Sequence, residues 1–170
     1  MNIPKEMLNP NTTNELGPTF LGLQAHQLLS IIDFQGTDLL ASQGIDLPSR
    51  SVSTMMHLKK NKLVTVTGLA RFLGMSHQLV RHRLKDLKAR NLVTEKPDPY
   101  DLRRTLILLT KSGKTLALKV GHLNKEVEHV YLEMFEEIGV DLFKALTKAK
   151  QALTEKSLGT RVLERRRKAG

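Results

Sequence analysis

Four polar side chains in one short stretch have the types and spacing to read the edge of a base pair: Gln78, Arg81, His82 and Lys85. Placed about 100° apart around a helix from Ser76 to Arg90, they share one side, while Val80, Leu84 and Leu87 share the other. Arg and Lys donate to guanine O6 and N7, and Gln pairs bidentately with adenine. A solvated amphipathic helix would carry the same face, so what flanks it decides the chemistry. Arg83 lies toward the apolar side, where it would pair with an acid or extend its stem past the core to a phosphate.

Further along, Asp101 and Arg103 are separated by one residue in a polar turn, with Arg104 next to them. In isolation such a pair is a surface ion pair worth little. Nothing else in the chain organises catalysis. There is no GxSxG, P-loop, HExxH or Gly-rich dinucleotide turn. The six histidines, His26, His57, His77, His82, His122 and His129, form no i,i+4 pair, and there is no cysteine. The expectation is no enzyme, no metal and no cofactor; a metal-dependent switch would need carboxylate ligands.

The net charge of +10 is localised. Thr67 to Thr115 holds eleven Lys/Arg against four Asp/Glu, and Arg161 to Gly170 holds five against one, a balance of +7 and +4. The remainder sums to −1. Local basicity is the footprint of a polyanion site or of a solvated basic face. The absence of cysteine is compatible with a reducing cytoplasm. No apolar run approaches the ~18 residues of a membrane span, and Met1 to Pro18 has no apolar signal core.

The elements that must position these groups follow from periodicity and punctuation. Phe20 to Ser42 predicts a long helix, bent at Gly36 and stopped at Gly44. Asp46 predicts a cap, with Pro48 in the first turn of a helix to about Lys60. Leu63 to Val66 is β-prone, and Thr67 is expected to cap a helix from Gly68 to Leu73 that Gly74 ends. Ser76 caps the next, with Asn91 at its end; the pair is a helix-turn-helix. Leu92 to Lys96 and Thr105 to Leu109 predict two strands around a basic turn. Thr110 starts a long helix to about Glu137, Gly139 ends it, and Asp141 starts the last, striped by Leu142, Leu146, Ala149 and Leu153. The tail from Arg161 is expected to be mobile.

The stretches LARFLGMSHQLVRHRLKDLKARNLV and KPDPYDLRRTLILLTKSGK, with GIDLPS before them, resemble the MarR (multiple antibiotic resistance regulator) family over roughly Phe20 to Leu158. Asp101 and Arg103 match that family's Asp-x-Arg signature. Asn91 stands where the family usually has Gly, and Arg83 where it usually has an apolar residue. The resemblance implies that Arg103 enters the minor groove while Asp101 holds the wing's shape. A narrow minor groove concentrates negative potential and attracts such an Arg. It also implies a dimer built from the terminal helices, and a small-molecule effector acting from a crevice between those helices and the DNA-binding lobe.

The expected fold is mainly α with a small β-wing: a winged helix-turn-helix plus N- and C-terminal dimerisation helices. The expected layout is an arm at 1–19, a dimerisation helix at 20–45, a DNA-binding lobe at 46–110, dimerisation helices at 111–158 and a basic tail at 159–170. The expected function is a dimeric, cytoplasmic DNA-binding transcription regulator, a repressor by default, on a pseudo-palindromic double-stranded operator. Its contact residues are expected to be Thr67, Ser76, His77, Gln78, Arg81, His82, Lys85, Asp101, Arg103 and Arg104. The competing expectation is a winged-helix protein-interaction module that does not read DNA.

Overall fold

A computed structural model describes residues 17–170, in two compact units that meet at His122/Leu123. Most of the expected N-terminal arm therefore lies outside the described residues. The first unit begins with a 3-10 turn, Pro18–Phe20, which runs into helix α1, Leu21–Ser42. Helix α1 runs unbroken through Gly36. A Cβ there would lie 2.6 Å from the Ser49 hydroxyl, so any larger residue would have to displace that side chain. The adjacent Thr37 hydroxyl accepts the Ser49 N–H at 3.0 Å, joining α1 to the segment after it.

The second helix starts later than expected. Pro48 is extended (ψ 135°) and precedes a 3-10 turn, Ser49–Ser51, that leads into α2, Val52–Lys60. Asp46 caps nothing; it pairs with Arg90, whose guanidinium also donates to the Asp46 carbonyl at 3.1 Å. Ile45 and Leu47 on either side of it are buried.

Strand β1, Val64–Thr65, is followed by α3, Val66–Leu73, and α4, His77–Ala89. Thr65, not Thr67, caps α3: its hydroxyl accepts the Gly68 N–H at 3.1 Å. Gly74 ends α3 in the left-handed region (φ 63°), and Asn91 does the same after α4 (φ 54°). Strands β2, Val93–Pro97, and β3, Thr105–Leu109, complete an antiparallel sheet ordered β1-β3-β2, with Val64 opposite Ile107 and Val93 opposite Leu109. Met55, Leu69, Val80, Leu87, Ile107 and Val120 are its core, each less than 2% exposed.

Helix α5, Lys111–Glu137, belongs to this unit as far as His122. Thr110 accepts the Gly113 N–H at 3.0 Å, as a cap should. In the second unit Gly139 (φ 68°) ends α5, and Asp141 caps α6, Leu142–Glu155. The bond from the Lys144 backbone N–H holds the Asp141 carboxyl below its ordinary range. The expected single last helix is two. Lys156 turns extended, Ser157 caps, and α7 runs Leu158–Ala169. The basic tail is thus helical. No helix among the described residues is long and apolar enough to cross a membrane.

Candidate nucleic-acid interface

Helix α4 is fixed by three apolar residues and one cap. Val80, Leu84 and Leu87 are 0–2% exposed, and the Ser76 hydroxyl accepts the Leu79 N–H at 3.3 Å. That anchoring turns Gln78, Arg81, His82 and Lys85 to solvent along one side, with His77 exposed at the first turn. His82 Nδ1 stands 3.8 Å from Asp86.

The wing is the turn 98–104 between β2 and β3. Its organiser is Asp98, 3% exposed, which sequence reasoning passed over. Its carboxylate accepts the Tyr100 N–H at 3.0 Å, and its own N–H donates to the Arg104 carbonyl at 2.9 Å. Arg104 Nε lies 3.6 Å from the same carboxylate. Arg104 is therefore a brace inside the wing as well as part of its surface. Asp101 accepts both the N–H and the Nε–H of Arg103, at 3.1 and 3.2 Å. The Arg103 side chain is 92% exposed and its partner 32%. Tyr100 and Leu102, 88% and 82% exposed, stand beside it, and no feature of the sequence singled them out.

The two halves meet. A concave cleft of about 520 Å³ is lined by Thr67 near the start of α3, by Arg81 of α4, and by Arg103 and Arg104 of the wing. Thr65 and Glu95 also line it. The cleft thus gathers four of the ten expected contact residues. Gln78, His82 and Lys85 are exposed on α4 outside its lining, while Ser76 serves as a cap and Asp101 as the buttress of Arg103.

Arg83 is half-buried, and among the described residues it forms no ion pair within 4 Å. Burial first, and the nearby Arg50 second, lower its pKa, while Asp33 of α1 opposes them. Its environment joins three segments far apart in sequence, which periodicity on α4 alone cannot reveal.

Comparison with known proteins places this geometry. Residues 45–104 match the family model described as MarR family. The DNA complex of Staphylococcus aureus MepR is similar at TM-score 0.68 and 21% identity, over 78% of this chain and 97% of that one. A MarR/EmrR family transcriptional regulator from Acinetobacter sp. ADP1 is similar at TM-score 0.67 and 20% identity, over 81% and 96%. Streptococcus pneumoniae FabT in complex with DNA is similar at 0.60 and 19%, over 81% and 96%. No curated protein matches the sequence. These identities establish a shared fold, and the family model matches the segment 45–104. Residues 45–104 match the MarR family, whose members are transcription regulators rather than enzymes, and the chain has the winged-helix fold of these solved structures.

Proposed function

We propose that the chain is a homodimeric regulator that binds a pseudo-palindromic double-stranded DNA operator, with α4 in the major groove and the wing's Arg103 in the minor groove. The observation that carries this reading is the cleft that joins Arg81 of α4 to Arg103 and Arg104 of the wing. Cations on a rigid helix and a braced hairpin, facing one concavity, suit two adjacent grooves and the phosphate ridge between them. Thr67 at the start of α3, with Ser76 and His77 at the start of α4, stands where helix-start amides and hydroxyls meet phosphates. Bound over a promoter, such a dimer acts as a repressor, and a small molecule that disfavours the bound form releases it. Two complexes with DNA, those of MepR and FabT, are among the proteins of the same fold.

The test is a gel shift on a site selected from random DNA, with excess competitor and at two salt concentrations. Specific binding should survive the competitor and weaken steeply with salt. Arg81→Ala and Gln78→Ala should each relax selection at one base position and cost about 1–3 kcal/mol. If both leave the selected site unchanged, α4 is not the reader.

Dimerisation has independent support. No residue of the second unit is buried. Phe143 is 73% exposed and Val130 61%, with Leu132, Ile138 and Val140 near 50%. Leu21 and Leu29 of α1 are 62% and 63% exposed. Apolar surface of this extent in a helical unit without its own core is covered by another chain. Light scattering on the full chain should report twice the monomer mass, and Val130→Asp with Phe143→Asp should shift it toward monomer. A clean monomer at micromolar concentration that still binds DNA tightly would refute the dimeric reading.

A further inference from the structure

Helix α7 has a fixed end and a free one. Ser157 caps its start, accepting the Thr160 N–H at 3.2 Å. Arg161 reaches back to α6, donating from Nε to the Lys156 carbonyl at 3.0 Å and from Nη2 to the Ala152 carbonyl at 2.6 Å. Those carbonyls end α6, where a cation is favoured. Glu164, the only acid of α7, pairs with Lys156. The first two turns of α7 are thus capped by Ser157 and tied to the end of α6 by one guanidinium and one ion pair.

Four consecutive cations remain, Arg165, Arg166, Arg167 and Lys168, all exposed. None of them has an acidic partner within 4 Å among the described residues. Successive residues on a helix point about 100° apart, so these four encircle its last turn. The negative end of the helix dipole accounts for some preference for cations there. It does not require four of them, and it leaves each with unspent hydrogen-bond donors. Guanidinium groups on an anchored helix suit a row of phosphates, because little backbone freedom is lost when they bind and the planar fork loses less side-chain freedom per hydrogen bond than an ammonium does.

We propose that the end of α7 is a second DNA contact, which grips the phosphate backbone without regard to sequence. It rests on the DNA-binding reading given above, with α4 and the wing choosing the site and α7 adding affinity to any duplex. The number of phosphates it neutralises is set by which of Arg165 to Lys168 face the duplex in the complex.

The experiment compares the full chain, a variant with Arg165→Gln, Arg166→Gln, Arg167→Gln and Lys168→Gln together, and a second in which the three arginines become Lys. Affinity is measured on the selected site and on random duplex, from 50 to 200 mM salt. The Gln variant should flatten the plot of log affinity against log salt by about 0.9 for each phosphate that α7 no longer neutralises. The weakening should be equal on the two duplexes, and the Lys variant should keep most of the slope. Unchanged slope in the Gln variant overturns the proposal, as does a weakening confined to the selected site. So does anionic phosphatidylserine vesicle binding that the Gln variant loses while DNA binding stays intact, since α7 would then be a membrane-surface helix. Wild-type protein that binds neither duplex at 50 mM salt is a different failure: it removes the DNA-binding reading, and this proposal with it.

Discussion

Replacing Arg103 with Ala should weaken operator binding by roughly 1–3 kcal/mol, more than one distant surface charge would account for. The side chain is 92% exposed and projects from a wing whose shape other residues hold: the buried Asp98, the Arg104 brace and the Asp101 carboxylate. Removing Arg103 therefore removes an exposed guanidinium without unmaking the hairpin. A planar guanidinium enters a narrow groove at lower desolvation cost than an ammonium, so Arg103→Lys should be only partly tolerated. The loss of affinity should be larger on operators with A·T-rich flanks than with G·C-rich flanks, because groove width sets the local potential. Asp101→Asn should show a milder form of the defect, since the amide oxygen can still accept from Arg103 but no longer carries charge. Equal losses of the Ala variant on the two flanks would make the wing a backbone clamp and rule out minor-groove reading.

The largest effect on stability is expected at Gly113. A Cβ built there would overlap the backbone carbonyl of Leu92, and a carbonyl held in a hairpin base cannot swing away as a side-chain end can. That carbonyl accepts the Thr110 N–H at 3.1 Å, while the neighbouring Asn91 carbonyl accepts the Thr110 and Ser112 hydroxyls, each at 2.6 Å. The junction of β2, β3 and α5 is thus locked by short bonds on both sides of the glycine. Gly113→Ala should cost about 1–3 kcal/mol by overpacking, which lowers Tm by roughly 2–12 °C for a chain of this size. Gly159→Ala is the matched comparison, because a Cβ there meets only the Ser157 hydroxyl at 3.9 Å. Thermal unfolding should show the first variant destabilised and the second unchanged or slightly stabilised. Equal melting temperatures for Gly113→Ala and wild type would mean that the junction is not tightly packed.

What the sequence could and could not reveal divides along local and tertiary causes. Ser76, Thr110 and Asp141 cap where their hydroxyl and carboxyl chemistry predicts, and Gly74, Asn91 and Gly139 take the left-handed turns that end helices. The outward face of α4 follows from periodicity, because Val80, Leu84 and Leu87 can be buried on one side only. Thr65 and Thr67 offer two equivalent hydroxyls two residues apart. The choice between them is made by β1 pairing with β3, which puts Thr65 at the strand–helix junction. Asp46 has the side chain of a cap, but Arg90, 44 residues away, claims it. The surroundings of Arg83 are likewise a product of packing between distant segments, whereas Asp98 is held within its own turn by Tyr100 and Arg104. The missed helix α7 is a different case: Ser157 was a legible cap, and the density of charge after it obscured a helix whose partners lie on α6.

The central claim is that two copies of this chain read a two-fold operator through α4 and the wing. Selection of bound sites from a random duplex library tests it most directly. The expected result is enrichment of a pseudo-palindrome whose half-site centres are about 34–36 Å apart, one helical turn of B-DNA. Recovery of no enriched motif, at a salt concentration where wild-type protein still shifts duplex DNA, would contradict it and leave a domain that binds polyanions without reading sequence.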